Sequence, residues 1–551
     1  MRFLKWAGGI AVALGAVAGI AWLNRIQIIL LFAAMQKPAV APNHQVAWQQ
    51  GPATPAQPSA NRPPNIVVIL ADDLGYNDIS VHGGGVANGL VPTPNIDSIA
   101  HDGVELTNGY AGDATCAPSR AAIMTGRYAT RFGFEFTPAP VSFARVIAAM
   151  MQGQPHPAIL HTDVIENMPA LDKEAVPTSE ITVANILQKQ GYHTLHFGKW
   201  HLGGAPGSRP EQKGFDESLG FTAGASMYLP EGDADVENSK QDFDPIDRFL
   251  WAALPYGVQY NGSPYFLPHG YMTDYLTDEA VQAVHANRNR PFFLYYAPNA
   301  PHTPLQARKE DFNALAQIPD HRLRVYGAMI RNLDHNIGRL LQTLKDEGLA
   351  DNTLVVFTSD NGGANYIGLP DINKPFRGWK ATFFEGGMHV PYFLRWPGHI
   401  PAGSKFTSPV GHVDIFATAA AAAAAAMPTD RVMDGVDLLP YVTGQKPGAP
   451  HRDMFWRSGN YRVVLQDGWK YQRMDQPSRR WLFNLTDDPT EQHNLAETQP
   501  ARLAQLDALM NTIDHQQAKP LWPSVLSGAI AIDHPGGVPI KPGDEYIYWD
   551  N

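Results

Sequence analysis

Residues 65–73 read NIVVILADD: five consecutive apolar side chains, Ile66 to Leu70, then an alanine and two aspartates. An apolar run this short, rich in β-branched residues, is a strand buried on both faces. Its C-terminal end carries two carboxylates, Asp72 and Asp73. The same form recurs in RPFFLYYAPNAPH, from Arg290 to His302, and in TLVVFTSDN, from Thr353 to Asn361. Helical patterns lie between these strands, in ITVANILQKQGY from Ile181 and in YGAMIRNLDHNIGRLLQTLKDEG from Tyr326, where the closing glycine is a helix stop. Strands alternating with helices predict an α/β fold with a large, mostly parallel central sheet flanked by helices. Ligands are then expected at the C-terminal ends of the strands.

Outward from this sheet the chain divides into four parts. Residues 1–36 hold Arg2 and Lys5, an uncharged and largely apolar run from Trp6 to Leu23, and a second apolar run from Ile26 to Met35. The first run is long for a signal-peptide core and marginal for a membrane span. Ala39-Val-Ala41 has the small-x-small form of a cleavage site, but Pro42 follows it. An uncleaved signal-anchor is favoured over a cleaved signal peptide. In either case the body is expected to be exported, to the periplasmic or extracellular face, with this segment as its contact with the membrane. Residues 37–62 are rich in Pro, Ala and Gln and read as a tether. The catalytic domain is expected over 63–444, with DIFATAAAAAAAAMP as a plain helix ended by Pro428. From 445 to 551, NYRVVLQDGWKYQRM and RRWLFNLTDDP look like hairpin strands of a smaller α+β domain, antiparallel sheet plus helix, closed by a mostly irregular tail.

A chain of 551 residues is too long for one ordinary core, so two domains are the expectation. Its 44% hydrophobic and 17% charged residues are those of a globular protein. A formal charge of −11 argues against a nucleic-acid partner, because tracking phosphates needs a basic surface. An anionic substrate must then be held by local positive charge. The single cysteine excludes an intrachain disulfide and cysteine-rich zinc or iron–sulfur sites.

That cysteine opens the string CAPSRAAIMTGR, Cys116 to Arg127. Pro118 suits a first helical turn and Gly126 a helix end, which puts Cys116 at a helix N-terminus, where an anion is favoured. Arg120 lies one turn on, positioned to reach back to residue 116. Taken alone, a lone cysteine is most often a small core residue, or else a reactive thiolate. The wider string, Cys-x-Pro-Ser-Arg followed by Thr-Gly-Arg, closely resembles the signature of the type I sulfatases of the alkaline phosphatase superfamily, and Thr93-Pro-Asn-Ile-Asp97 resembles the family's approach to it. The resemblance implies that a separate formylglycine-generating enzyme oxidises Cys116 to formylglycine. One hydroxyl of the aldehyde hydrate would attack sulfur, and deprotonation of the other would expel sulfate.

The same resemblance extends from about Pro64 to about Ala496. Asp72, Asp73, Asp360 and Asn361 alone are turn or cap residues, but together they supply only oxygen atoms, a set that selects Ca²⁺ or Mg²⁺. They match the family's metal ligands. GKWHLG gives Lys199, implied to bind sulfate and the hydrate, and His201, implied to take the hydrate's second proton. NAPHTP gives His302, implied to protonate the leaving oxygen, and GWKATFFEGG gives Lys380, implied to reach a sulfate oxygen and the leaving group. Arg127 is expected to brace the loop. HVDIFAT and DGVDLLPYVTG are also family-like.

Two stretches exceed the compact pattern: AMMQGQPHPAILHTDVIENMPALDK between Arg127 and Lys199, and an aromatic-rich segment between Phe221 and Met272. They are either satellite packing beneath long loops or a substrate rim whose aromatic faces stack on an aryl group or sugar ring. The function expected is hydrolysis of aryl or carbohydrate sulfate monoesters. The alternatives are a phosphonate or phosphate ester hydrolase of the same superfamily, and a non-catalytic binder of sulfated glycans with an unmodified Cys116.

Overall fold

The computed structural model describes residues 22–551, together with residues 16, 19 and 20, so most of the apolar run Trp6–Leu23 lies outside the described residues. Residues 65–71 form the strand expected from their sequence, fully buried along its length. It pairs in parallel with Thr353–Ser359 on one side and Phe292–Ala297 on the other. His193–Lys199 and then Glu217–Phe221 extend the parallel set. Antiparallel Tyr392–Arg395 follows Thr353–Ser359, with Val104–Leu106 and Ser404–Phe406 beyond it; antiparallel Gln259–Tyr260 closes the opposite edge.

The continuous apolar run has a direct cause. Alternate residues of one strand face opposite sides, and both sides are covered. Val67 and Ile69 enter a core shared with the helices Met272–Asn287 and His321–Asp346. Ile66, Val68 and Leu70 enter a second core with the helices Cys116–Thr125, Val183–Lys189 and Asp414–Ala422. The register sets Ala71 opposite Ser359, so Asp72-Asp73 and Asp360-Asn361 leave the sheet side by side. Two strands away, Lys199 leaves at the same C-terminal edge.

The C-terminal unit is a four-stranded antiparallel sheet, Asp453–Ser458, Tyr461–Gln466, Trp469–Met474 and Arg479–Asn484, covered by the helix Pro500–Asp514.

Three local expectations differ from what forms. The tail is not mostly irregular: Leu526–Ala531 and Tyr546–Asp550 pair with each other, and the first also pairs with Ile159–Leu160. The Pro-rich segment is not a free tether. Val46 and Trp48 are buried in the catalytic domain, and the Trp48 indole donates to Glu279 at 2.7 Å. The alanine-rich helix stops at Ala422, before Pro428, because Ala424 turns into the left-handed region at φ 51°.

Candidate active site

The helix Cys116–Thr125 is buried at every residue, entered from an extended Thr115 and ended by Gly126 at φ +65°. Cys116 is its first residue and is 4% exposed. Burial pushes the Cys116 thiol up, against the pull of Lys199 and Lys380, so the site does not build a low-pKa thiolate.

Arg120 reaches past residue 116 to the strand ends. Its Nε donates to Asp360 Oδ2 at 2.8 Å and its Nη1 to the Lys199 carbonyl at 3.0 Å. Nη2 lies 2.8 Å from Asp360 Oδ2 and 3.4 Å from Asp72 Oδ1. Lys199 Nζ donates to both Asp72 oxygens at 2.8 Å. Lys380 Nζ does the same to Asp73, at 2.7 and 2.8 Å. Three carboxylates are thus matched by three cations, all buried except the partly buried Lys380, where an unpaired charge is costly.

The Asp73 backbone N–H donates to Asp360 Oδ1 at 3.1 Å, and Asn361 Nδ2 donates to Asp73 Oδ1 at 2.8 Å. His302 presents Nε2 at 3.6 Å from Asp73 Oδ2, while its Nδ1 bonds the Thr303 carbonyl at 2.5 Å. One oxygen each of Asp72 and Asp73 and a His302 ring nitrogen lie within 4.8 Å of one another. Asn361 Oδ1 is buried and has no donor. Three carboxylates and an unsatisfied buried carbonyl oxygen are a donor set that fits a hard divalent cation.

Environment separates the two adjacent aspartates. Burial pushes Asp72 up to about 7, opposed by Lys199 and Arg120. Asp73 is buried too, but Lys380 and His302 hold its carboxyl below the usual range. Burial pushes His302 down to about 3 against the attraction of Asp73. His201 is held well below its ordinary value by burial, with Lys199 and Arg120 acting in the same direction.

The backbone is strained at the same place. Asp73 (φ 61°), His201 (φ 59°) and Ala381 (φ 68°) all adopt the left-handed region without being glycine. His201, two residues past the strand that ends at Lys199, shares a cavity lining with Cys116, His302 and Lys380. The Ala381 N–H donates to the Ala114 carbonyl at 2.7 Å, which ties the Lys380 segment to the approach to Cys116. Arg127 stands outside the cluster, bonded to Glu180 at 2.6 Å and to the Val432 carbonyl.

Two members of the site were missed from sequence. Tyr366 donates to Asp73 Oδ2 at 2.9 Å and lies 3.3 Å from Lys380 Nζ. Its nearness to the SDNGG turn was the available signal. His412, within the HVDIFAT string, bridges Ser119 Oγ at 3.1 Å and Thr358 Oγ1 at 3.0 Å.

The sequence profile of the family described as Sulfatase matches residues 64–425. The chain belongs to the sulfatase family. N-acetylgalactosamine-6-sulfatase of Mus musculus is 34% identical over 417 residues, covering 74% of this chain and 71% of that protein. Steryl-sulfatase of Homo sapiens is 32% identical over 462 residues, covering 73% of each. The solved structure of Ps i-CgsB in complex with k-i-k-neocarrahexaose superposes with a TM-score of 0.68 at 31% identity, covering 84% of this chain and 95% of that one. This sulfatase is accordingly a sulfuric ester hydrolase, which removes the non-catalytic binder from consideration.

Proposed function

We propose that this sulfatase hydrolyses carbohydrate or steroid sulfate monoesters at the cluster just described, with Cys116 converted to formylglycine and Ca²⁺ or Mg²⁺ held by Asp72, Asp73, Asp360 and Asn361. One observation carries the reading. Ten residues from six separated stretches meet at one sheet edge, eight of them linked by the ion pairs and hydrogen bonds above. Cys116 and His201 line the same cavity as Lys380 and His302.

When bound, the cation and the hydrate supply an acidified hydroxyl nucleophile and relief of negative charge. Within the chain, Arg120 fixes Asp72 and Asp360. Lys199 and Lys380 place ammonium groups on either side of the carboxylates, as partners for sulfate oxygens. With Nδ1–H donated to the Thr303 carbonyl, Nε2 of His302 is the ring atom left to face the leaving oxygen, and it acts as the acid only in the protonated ring, a form that burial opposes and the Asp73 carboxylate favours. His201 takes a proton from residue 116. The three cations already balance three carboxylates, so an added divalent ion leaves surplus positive charge for an anionic ester.

Maturation would require a formylglycine-generating enzyme. We also propose an exported protein held at a lipid surface by its N-terminal segment. Among the described residues no helix is long and apolar enough to cross a membrane. However, the helix Arg25–Met35 exposes Leu31, Phe32 and Met35, and an apolar run precedes it in the sequence. Matched aryl sulfate and aryl phosphate diester substrates test the reaction class. Faster turnover of the sulfate is expected; faster turnover of the phosphate diester would favour the superfamily alternative.

A further inference from the structure

The cavity that holds Cys116, His201, His302 and Lys380 has a volume of about 1100 Å³ and is lined mainly by apolar groups from other elements. Phe143, Ile147 and Met150 come from the helix Val141–Met150, and Phe249 and Leu250 from the helix Pro245–Ala253. The second helix lies in the aromatic-rich segment between Phe221 and Met272, and the first runs into the AMMQGQ stretch at Ala149. The N-terminal helix adds Ala33, packing Leu30 and Ala33 against Val146 and Phe249. That helix is therefore part of the pocket wall as well as a link to what precedes it. Outside the catalytic cluster the charged lining is mainly acidic, with Asp172, Glu174 and Asp244 against Arg209. A polyanionic glycan would meet few cations there and several carboxylates.

We propose that this wall takes the alcohol portion of the substrate, and that the substrate is an amphiphile: one sulfate monoester on an apolar body of sterol or long-alkyl size. The proposal rests on the sulfatase reading and names its substrate class. Each further 55 Å² or so of apolar surface buried is worth about tenfold in binding, at roughly 25 cal/mol per Å². A wall of this kind can therefore separate an apolar ester from a sugar ester by more than one order of magnitude. The outer face of the same helix points to a source in a lipid layer, since Leu31, Phe32 and Met35 are 62%, 59% and 71% exposed.

The test uses full-length protein of measured formylglycine content, with kcat/KM determined on nitrophenyl sulfate, a sterol sulfate, an N-acetylhexosamine 6-sulfate and a polysulfated oligosaccharide. At least a tenfold preference for the sterol sulfate over both sugar sulfates is expected. Phe143→Asp should lower the ratio of sterol to nitrophenyl turnover about tenfold. Equal or better turnover of either sugar sulfate overturns the inference, as does an unmoved ratio in folded Phe143→Asp. Should that variant fail to fold, the wild-type ranking decides alone. Absence of turnover on all four substrates by converted protein overturns the sulfatase reading and this inference with it. Turnover ranked the other way removes the inference only.

Discussion

His302 shows how one side chain's surroundings fix what it can do. Its Nδ1 is engaged by the Thr303 carbonyl, so only Nε2 faces the carboxylate cluster. If Nε2 serves the leaving oxygen, the effect of its loss must depend on that oxygen's basicity. A nitrophenolate is stable as an anion, whereas an alkyl or sugar alkoxide needs a proton in the transition state. General acid catalysis contributes on the order of 10²–10⁴-fold. His302→Ala should therefore lose far more kcat on an alkyl or sugar sulfate than on nitrophenyl sulfate. Equal losses on both would move the role to another group, with Lys380 next in line. Asn361 permits a separate test of the metal. It donates to Asp73 and to the Gly362 carbonyl, yet its Oδ1 has no partner. Asn361→Ala should weaken Ca²⁺ or Mg²⁺ binding by about tenfold or more, measured by calorimetry, and turnover should fall with it. Normal metal affinity in that variant would take Asn361 out of the ligand set. At this scale the sequence was legible through the resemblance of its short strings to the sulfatases, since Cys116, Asp72, Asp73, Asp360 and Asn361 taken alone read as core, turn or cap residues. Arg120 is the instructive exception. Helical spacing predicts contact with residue 116, but a guanidinium buried beside Asp72 and Asp360 is drawn to those charges first.

Among the elements, the strands were legible and the connections between remote segments were not. NIVVILADD declares itself because both sides of the sheet are covered, which leaves Asn65 as the one polar residue of the strand. Leu526–Ala531 and Tyr546–Asp550 gave no such signal, since a stretch rich in Gly and Pro separates them and Ile159–Leu160 lies far off in sequence. Likewise Trp48 finds a partner in Glu279 that no local pattern announces. The junction between the two units makes a prediction of its own. His451, just before the first C-terminal strand, lies 2.8 and 2.9 Å from the Asp414 oxygens at the start of a catalytic-domain helix. Burial alone would lower His451, but the Asp414 carboxylate overrides it and raises the group above its ordinary value. A raised histidine contributes stability that is fully present below its unfolded pKa, roughly 6.5, and is lost as pH rises through the folded value. The Tm of the wild type should therefore fall more steeply above roughly pH 6.5 than that of His451→Gln. Parallel Tm profiles for the two proteins would show that the pair does not titrate with folding.

At the scale of the whole molecule, the sheet delivers Asp72, Asp73, Lys199, Asp360 and Asn361 to one edge, and the helices and loops around it bring Cys116, Arg120, His201, His302 and Lys380 to them. The C-terminal unit contributes at a distance. Lys470 is buried between Glu385 and Glu491, and Glu491 accepts from the Glu385 N–H, so the second domain grips the segment that follows Lys380. The C-terminal unit is thus tied to the catalytic domain through a buried ion-pair cluster at Glu385. On the proposed reading, all of it serves a formylglycine at position 116. The most direct measurement is the mass of the peptide containing residue 116, taken from the same preparation used for kinetics. The account predicts a peptide lighter than the cysteine form by about the mass of one water, before hydration of the aldehyde, with activity proportional to its fraction. Oxidation of the thiol to sulfenic or sulfinic acid would instead raise the mass. Full sulfatase activity in a preparation that carries only unmodified cysteine at position 116 would contradict the account.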